Sequence, residues 1–258
     1  MTSVTYAVSD ALAMTRRNLT RYIRIPTLLV FSTIQPVMFV LLFVYVFGGA
    51  VKGSLPHGVK YVDFLMPGIF VQTVVFGSTQ TGVGLAEDLS KGMIDRFRSL
   101  PMARSAVLAG RTLGDGVRNT FVVILMTLVG LLVGFRLHAG ALPAIAALAI
   151  AVGFGFAFSW ISATIGLAVH DVESAQTAGF IWVFPLTFAS SVFVPLRTLP
   201  GWLQSFARVN PITNTANALR ALTLGGPTTR PVLYTLLWIV GILVVFMPFA
   251  TRNYRKVA

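Results

Sequence analysis

The sequence predicts an all-α integral membrane protein with six transmembrane helices. Of its 258 residues, 55% are hydrophobic and only 11% are charged, and long apolar runs recur along the chain. Soluble domains carry about 25% charged residues, so the composition excludes a soluble globular enzyme. The runs are continuous and do not alternate with polar residues, which favours helices over the strands of a membrane β-barrel.

The individual spans follow from the thickness of the bilayer. A helix needs about 20 apolar residues to cross a hydrocarbon core of about 30 Å. Six segments reach or approach this length, at residues 27–50, 61–86, 120–135, 141–169, 177–194 and 231–250. The third is short, and we expect it to take further residues from the segment before it. Residues 1–258 then form a single transmembrane domain.

The distribution of basic residues predicts the orientation. An even number of spans puts both termini on one side, and the segments on that side hold most of the 20 Lys and Arg. The positive-inside rule therefore places both termini in the cytoplasm of a multi-pass protein of the cell (inner) membrane. A net charge of +12 would suggest nucleic acid in a soluble protein. Here the apolar fraction makes charge at the membrane surface the better interpretation, and no nucleic-acid partner is expected.

Residues 4–24 precede the first span and have the pattern of an amphipathic helix. Apolar side chains fall near one face, and four arginines gather toward its end. Such a helix is expected to lie in the cytoplasmic membrane interface. The alternative is a simple basic anchor beside the membrane.

The interiors of the six spans contain no ionisable residue in this assignment. Asp63, Glu87 and Asp88 fall at span edges, and the polar residues inside are neutral. Because ion-coupled transporters usually carry a charged group within the membrane, proton-coupled transport loses its most direct support. The neutral groups either hydrogen-bond between packed helices or, in the stretch from Gln72 to Thr81, line a substrate path.

Enzymatic chemistry finds no support in the sequence. The absence of cysteine excludes disulfides, cysteine zinc sites and thiol nucleophiles, and the three histidines fall in three different loops. No G-x-S-x-G motif occurs, and no lysine follows a glycine as the Walker A motif requires. We therefore expect no catalytic residue, no metal ligand and no cofactor on this chain. If ATP drives the protein, another polypeptide binds it.

Residues 87–119 form the largest predicted cytoplasmic loop. Glu87 and Lys91, and Asp95 and Arg98, have the spacing of helical ion pairs, and Pro101 is expected to end the helix. A short charged helix with an apolar edge suits docking into the groove of a partner protein. A solvated, positively charged loop is the alternative.

Residues 195–224 contain two stretches that are too short to span a membrane. A turn at Pro200 precedes a short helix that begins near Trp202, and Pro211 separates it from a second helix. We expect paired re-entrant half-helices that dip into the outer leaflet against the bundle, with their arginines snorkelling outward. An extracellular helical hairpin is the alternative.

Two runs carry a resemblance to a known family. The run from Lys91 to Arg104, KGMIDRFRSLPMAR, resembles the cytoplasmic loop of ABC-2-type permeases, in particular of the daunorubicin-resistance-type drug exporters. The run VPLRTLPGWLQ from Val194, with the later NPI and ALR elements, resembles the stretch before the last span of that family. The resemblance covers essentially the whole chain.

The resemblance implies a permease that forms a homodimer, or pairs with a paralogous permease, and binds two copies of a separate ATP-binding subunit. That subunit would hold the ATP and Mg²⁺. Residues 4–24 would be the connecting helix on the membrane surface. The helix that touches the ATPase would present Glu87, Asp88, Lys91, Asp95, Arg96, Phe97 and Arg98.

The resemblance also implies a cavity between two protomers, lined by the neutral faces of the second and fifth spans. The expected path residues are Gln72, Thr73, Ser78, Thr79, Gln80, Phe184, Thr187, Ser190 and Ser191. The half-helices would close its outer end through Pro200, Trp202, Asn210, Pro211 and Arg220. The expected function is ATP-driven export of an amphipathic or hydrophobic small molecule, such as an antibiotic or a lipid-like compound. A polysaccharide or glycolipid permease is the nearest alternative function. An ion-coupled transporter and a membrane enzyme are less favoured by the sequence.

Overall fold

A computed structural model describes residues 3–24, 26–55, 58–93, 104–169 and 171–257. All regular structure within these ranges is helical. The helices are α1 (Ser3–Arg24), α2 (Pro26–Leu41), α3 (Tyr61–Ser90), α4 (Arg104–Val133), α5 (Ala141–Val169), α6 (Val172–Phe188), α7 (Gly201–Val209), α8 (Pro211–Leu224) and α9 (Thr229–Val257). Helix α2 continues through a π-helical stretch, Leu42–Phe47, and a last α-helical turn, Gly48–Val51. This architecture confirms the predicted all-α membrane fold.

Five helical segments in the described part of the chain are long and apolar enough to cross a membrane. They are Ser32–Ser54, Tyr61–Ser90, Val107–Val133, Ala141–Val169 and Thr229–Lys256. The predicted fifth span corresponds to α6, which has only 17 residues and is about 26 Å long at 1.5 Å per residue. It falls just short of a hydrocarbon core of about 30 Å.

Several helix boundaries differ from the predicted ones, and two of these differences change how polar residues are placed. Helix α4 begins at Arg104, so residues 104–119 are helix and not loop, and the expectation that the third span takes residues from before it is confirmed. Helix α6 ends at Phe188, six residues before the predicted end at residue 194. The start of α4 differs because charged residues that are buried in the fold interrupt the apolar pattern. Helix α6 ends where the side chain of Asn210 binds the carbonyls of Leu186 and Ala189.

Helix α3 occupies the centre of the fold and packs against α4, α5, α6 and α8. Its close approach to α5 depends on two glycines. A Cβ on Gly82 would collide with the backbone of Ser162, and a Cβ on Gly166 would collide with the backbone of Gly82. Small residues that let two backbones touch are the typical solution for helices packed in lipid. They place the polar stretch of α3 in the middle of the bundle.

Helix α1 packs along the first half of α4. Gly110 has no side chain to hold Met14 away, and its carbonyl accepts hydrogen bonds from Asn18 Nδ2 at 3.2 Å and Thr15 Oγ1 at 3.3 Å. The opposite side of α1 leaves Leu12 exposed. The predicted helix over residues 4–24 is therefore present, with one face fixed to the bundle.

Candidate functional site

A small recess opens between α2, α3, α4 and α6, and we call it the recess throughout. It has a volume of about 90 Å³. Its lining residues are Ser32, Gln35, Pro36, Gln72, Thr73, Phe76, Gly77, Thr79, Gln80, Arg118, Asn119, Val122 and Phe180. Gln35 and Gln80 are exposed, whereas Gln72 and Thr73 are buried, so the recess runs from the protein surface into the bundle.

The recess brings together four of the residues expected along the substrate path. Gln72, Thr73, Thr79 and Gln80 all line it. Ser78 does not line it; this residue is fully buried, and its hydroxyl donates to the carbonyl of Val75 within the helix at 2.6 Å. The polar stretch of α3 thus presents one face to the recess and another to its neighbouring helices.

The remaining path residues, on and after α6, lie elsewhere. Phe184 is partly exposed and its ring packs edge-on to Phe76, with the centroids 5.2 Å apart. Thr187 is fully buried, and Ser190 donates to its carbonyl. Ser191 lies in the turn beyond the end of α6. Because the helix ends early, the two serines do not share a helical face with Phe184.

A buried carboxylate on α4 joins two arginines of the same helix. Asp115 lies 3.7 Å from Arg111 Nε and 3.8 Å from Arg118 Nη1, and its Oδ2 accepts a hydrogen bond from Thr81 of α3 at 2.6 Å. Arg118 also donates to the carbonyl of Gly77 at 2.5 Å. These contacts fasten α4 to the polar stretch of α3.

The same network continues toward the end of α3. Arg111 Nη1 lies 3.5 Å from Asp88, and Arg17 of α1 lies 3.6 Å from the same carboxylate. Gly84 makes room for Arg111, because a Cβ at that position would collide with the guanidinium group. We call Arg17, Asp88, Arg111, Asp115 and Arg118 the charge network. It connects three helices.

Three residues of the charge network lie on the same helix as the predicted third span, residues 120–135, and extend that helix into a stretch that the sequence assigned to a loop. Arg111, Asp115 and Arg118 fall within the apolar candidate span Val107–Val133 and are buried. Sequence reasoning assigned them to a loop because charges are rarely buried in a membrane, and their mutual pairing makes the burial tolerable. Their spacing of four and three residues was the available signal.

Three of the expected coupling residues lie within the described part of the chain, and they differ in their exposure to solvent. Glu87 and Lys91 form the predicted ion pair at 2.6 Å, near the end of α3, and the pair is partly solvent-exposed. Asp88 instead points inward to the charge network. Asp95, Arg96, Phe97 and Arg98 lie outside the described residues.

The expected outer-gate residue Asn210 joins three helices. Its Nδ2 donates to the carbonyls of Leu186 and Ala189 at 2.7 and 3.0 Å, at the end of α6. Its Oδ1 accepts from the amide of Ile212 at 2.9 Å, which caps α8, and Pro211 provides the first residue of that helix. This position for proline is favourable because its missing N–H would have no partner there.

Arg220 of α8 points inward, so the expectation that it snorkels outward is wrong for this residue. Its side chain donates to the carbonyls of Phe64, Ser191 and Val192 at 2.8, 2.6 and 3.1 Å. It also lies over the ring of Phe64, 3.7 Å from the centroid. A turn that leaves backbone carbonyls without helical partners needs such donors when it is buried. Pro200 and Trp202 are exposed, and neither is among the hydrogen-bond partners of Arg220.

The remaining ionisable groups in the described part of the chain include a helix cap and no metal-binding cluster. No group of three His, Asp or Glu side chains there could hold a metal ion. Asp171 caps the start of α6, and the backbone hydrogen bond from Ser174 lowers the pKa of its carboxyl group. The polar groups of this fold thus serve packing, capping and the recess.

Comparison with known proteins gives the family. Residues 10–224 match the model of the ABC-2 type transporter family. The chain belongs to this family. It is 36% identical, over 97% of its length and 87% of the relative, to the daunorubicin resistance ABC transporter permease protein DrrB1 of Streptomyces coeruleorubidus. It is 26% identical to the probable doxorubicin resistance ABC transporter permease protein DrrC of Mycobacterium tuberculosis, over 96% of this chain and 89% of that one.

A more distant relative is the inner membrane transport permease YadH of Escherichia coli, 25% identical over 84% of this chain and 82% of its own length. The protein is therefore an ABC-2 type permease and an integral, multi-pass membrane protein. Permeases of this family generally work with an ATP-binding subunit.

Proposed function

We propose that this chain is the membrane-spanning subunit of an ATP-driven exporter that moves an amphipathic or hydrophobic small molecule out of the cell. The observation that carries the proposal is the similarity to the daunorubicin resistance permease over 97% of the chain. A separate subunit binds the ATP and Mg²⁺, since no lysine of the chain lies in a Walker A motif.

The lining of the recess supports an amphipathic cargo. Amide and hydroxyl groups lie beside the rings of Phe76 and Phe180. Ligand sites commonly combine apolar walls with a few polar groups that fix orientation. We assign the recess to the substrate path, with Gln72, Thr73, Thr79 and Gln80 as its polar residues.

The size of the recess supports a second protomer. Pockets that enclose a drug-sized ligand measure about 300–1,000 Å³, whereas the recess measures about 90 Å³. A second permease chain facing the open side would complete the path. Two ATP-binding subunits, one for each permease, would complete the transporter.

The coupling role is assigned to the end of α3 and to the segment that follows it. Glu87 and Lys91 are partly exposed there, and Asp95, Arg96, Phe97 and Arg98 follow in sequence. In this proposal the segment faces the cytoplasm, as do both termini, and contacts the ATP-binding subunit. Asn210, Pro211 and Arg220 hold the turn that closes the outer end.

Purification of the tagged chain from its native host tests the proposal. We expect a protein with a P-loop to co-purify in equal amount, and its ATPase activity to rise when daunorubicin is added. Recovery of the chain without any ATP-binding protein, under detergent conditions that keep other ABC transporters intact, would contradict it.

A further inference from the structure

We propose that an apolar groove on the outside of α4 and α5 is a binding site for one acyl chain of a membrane phospholipid. The groove has a volume of about 640 Å³ and lies between residues 113–124 of α4 and residues 145–156 of α5. It shares no lining residue with the recess. The lipid is thus a structural component of the permease, distinct from its cargo.

Two glycines give the groove its depth. Gly116 and Gly153 line it from α4 and α5, and both are partly exposed. A Cβ on Gly116 would lie 4.0 Å from Phe156, and a Cβ on Gly153 would lie 3.9 Å from Ile239, as the nearest approach of another helix. At Gly82, by contrast, a Cβ would collide with the backbone of α5. The missing side chains in the groove therefore leave a space and do not serve a close helix contact.

The walls of the groove are apolar. Leu113, Ile124 and Ile145 line it and are exposed. Among its lining residues in the described part of the chain, the single polar side chain is Thr120, whose hydroxyl already donates to the Gly116 carbonyl at 2.9 Å. A ligand held there meets no charge and no hydroxyl proton that is free to be donated. A hydrocarbon chain suits this lining, because each methylene group that it buries adds to the affinity.

The position of the groove places it in contact with lipid. Its residues fall within Val107–Val133 and Ala141–Val169, two segments that are long and apolar enough to cross a membrane. In an integral membrane protein of this family, the exposed surface of these segments borders the hydrocarbon of the bilayer. Phospholipid is then the most concentrated ligand at the groove, and its binding is favoured by mass action.

The length of the groove favours one acyl chain over a partner helix. Residues 113 and 124 lie about 17 Å apart along α4 at 1.5 Å per residue. This is close to half of a hydrocarbon core of about 30 Å, the depth of one leaflet. A transmembrane helix packs along the whole span, yet Leu128 and Leu132, further along α4, are exposed and lie outside the groove.

Occupation of the groove is expected to stabilise the fold. Side chains beside an empty space lose the contacts that a filling group would supply. A ligand that binds the folded protein and not the unfolded chain raises the stability of the folded state. The permease should therefore lose stability when detergent removes the bound phospholipid, and regain it when phospholipid is returned.

Native mass spectrometry of the permease, purified with its ATP-binding partner and washed with detergent, tests the proposal. We expect the wild-type chain to retain phospholipid. Gly116→Leu and Gly153→Leu should each lower the retained phospholipid about tenfold or more, because the new side chain displaces about two or more methylene groups of the lipid. Gly241→Leu is the matched control, since Gly241 is exposed on α9, lies outside the groove and has room for a Cβ. Equal retention in all three variants would overturn the proposal.

The midpoint of thermal unfolding gives a second measurement with defined lipids. Dioleoyl-phosphatidylcholine should raise the midpoint of the wild type and of Gly241→Leu, whereas dihexanoyl-phosphatidylcholine, with the same headgroup and chains too short to fill the groove, should have little effect. The rise should be lost in Gly116→Leu and Gly153→Leu. An equal rise in the groove variants, or an equal effect of the two lipids on the wild type, would overturn the proposal.

Other occupants of the groove give different results. A small membrane protein that co-purifies with the wild type and is lost from Gly116→Leu, with phospholipid retained, would make the groove a protein contact. Displacement of the phospholipid by daunorubicin would make it part of the cargo path. Either result would overturn the proposal. None of these measurements requires ATP-driven export, so the lipid site and the proposed function can fail independently.

Discussion

At the scale of single residues, the most consequential side chains are charged and buried. Asp115 lies within ion-pair distance of two arginines of its own helix, Arg111 and Arg118, and all three are buried. Breaking a buried ion pair by removing one partner is strongly destabilising, because an uncompensated charge stays behind. The same chemistry explains why the glycines facing these groups cannot carry side chains: Gly84 is in contact with Arg111.

Replacement of Asp115 by asparagine should destabilise the protein by about 3–5 kcal/mol, because the buried carboxylate that Arg111 and Arg118 share loses its charge. The measurement is the midpoint of thermal unfolding in detergent. Glu87→Gln is the matched control, since the ion pair of Glu87 with Lys91 is partly exposed and such pairs contribute about 0–1 kcal/mol. An unchanged midpoint for the Asp115 variant would show that the charge network does not hold α3 and α4 together.

At the scale of helices, the turn at residues 189–195, which follows α6, depends on one amide side chain. Asn210 closes the end of α6 and caps α8, and Arg220 binds the carbonyls of the turn between them. The helix ends would otherwise leave several backbone groups without partners. The turn is therefore a fixed part of the fold.

Replacement of Asn210 by alanine should loosen the turn at residues 189–195 and the start of α8. We expect amide hydrogen exchange there to rise about tenfold or more, from the loss of roughly 1–2 kcal/mol of capping. Asn214→Ala is the comparison, because it removes hydrogen bonds to the carbonyls of Arg208 and Asn210 and leaves the bonds from Asn210 to the end of α6 in place. Equal exchange in the two variants would argue against the capping role.

The segment after α3 is the proposed contact with the ATP-binding subunit. Changing Arg96 and Arg98 together to glutamate should abolish stimulation of the partner's ATPase by cargo, because two positive charges at the proposed contact become negative. Membrane insertion should stay intact, as measured by protease protection. The corresponding control is Arg252→Glu, at an exposed position near the end of α9. Normal drug export by the double variant would contradict the docking role.

Most of the helices could be predicted from the sequence, and the features that were predicted wrongly share a cause. The apolar runs predicted the helices over residues 61–86, 141–169 and 231–250 well, because burial in lipid or in the centre of the bundle selects for hydrophobicity along the whole helix. The start of α4 was misjudged because Arg111, Asp115 and Arg118 look like loop residues until their partners are known. Likewise, nothing in the pattern around Arg220 shows that it faces inward, since its partners are backbone carbonyls of a distant turn.

Prediction of the recess from the sequence meets the same limit. The stretch from Gln72 to Thr81 stood out as polar within an apolar span. Which of these side chains line a cavity depends on how α2, α4 and α6 pack against α3. Ser78 and Thr79 are adjacent in sequence, yet only Thr79 lines the recess. Arg118 and Asn119 were missed as lining residues because they come from a helix assigned to a loop.

At the scale of the whole molecule, the topology can be tested on a chain that contains no cysteine. Single cysteines introduced at Lys256 and at Arg230 should react with a membrane-impermeant maleimide from opposite sides of sealed vesicles. Both positions are exposed and lie at opposite ends of α9. Labelling of the two from the same side would contradict a final helix that crosses the membrane.

The central claim is that this permease moves its cargo with energy from ATP bound by another subunit. The most direct measurement is daunorubicin uptake into inside-out proteoliposomes that contain the chain and its co-purified ATP-binding partner. We predict uptake that requires ATP and the partner and persists when the pH gradient is dissipated. Uptake driven by an imposed pH gradient, without ATP and without the partner, would contradict the account and point instead to ion-coupled transport through the buried charges of α4.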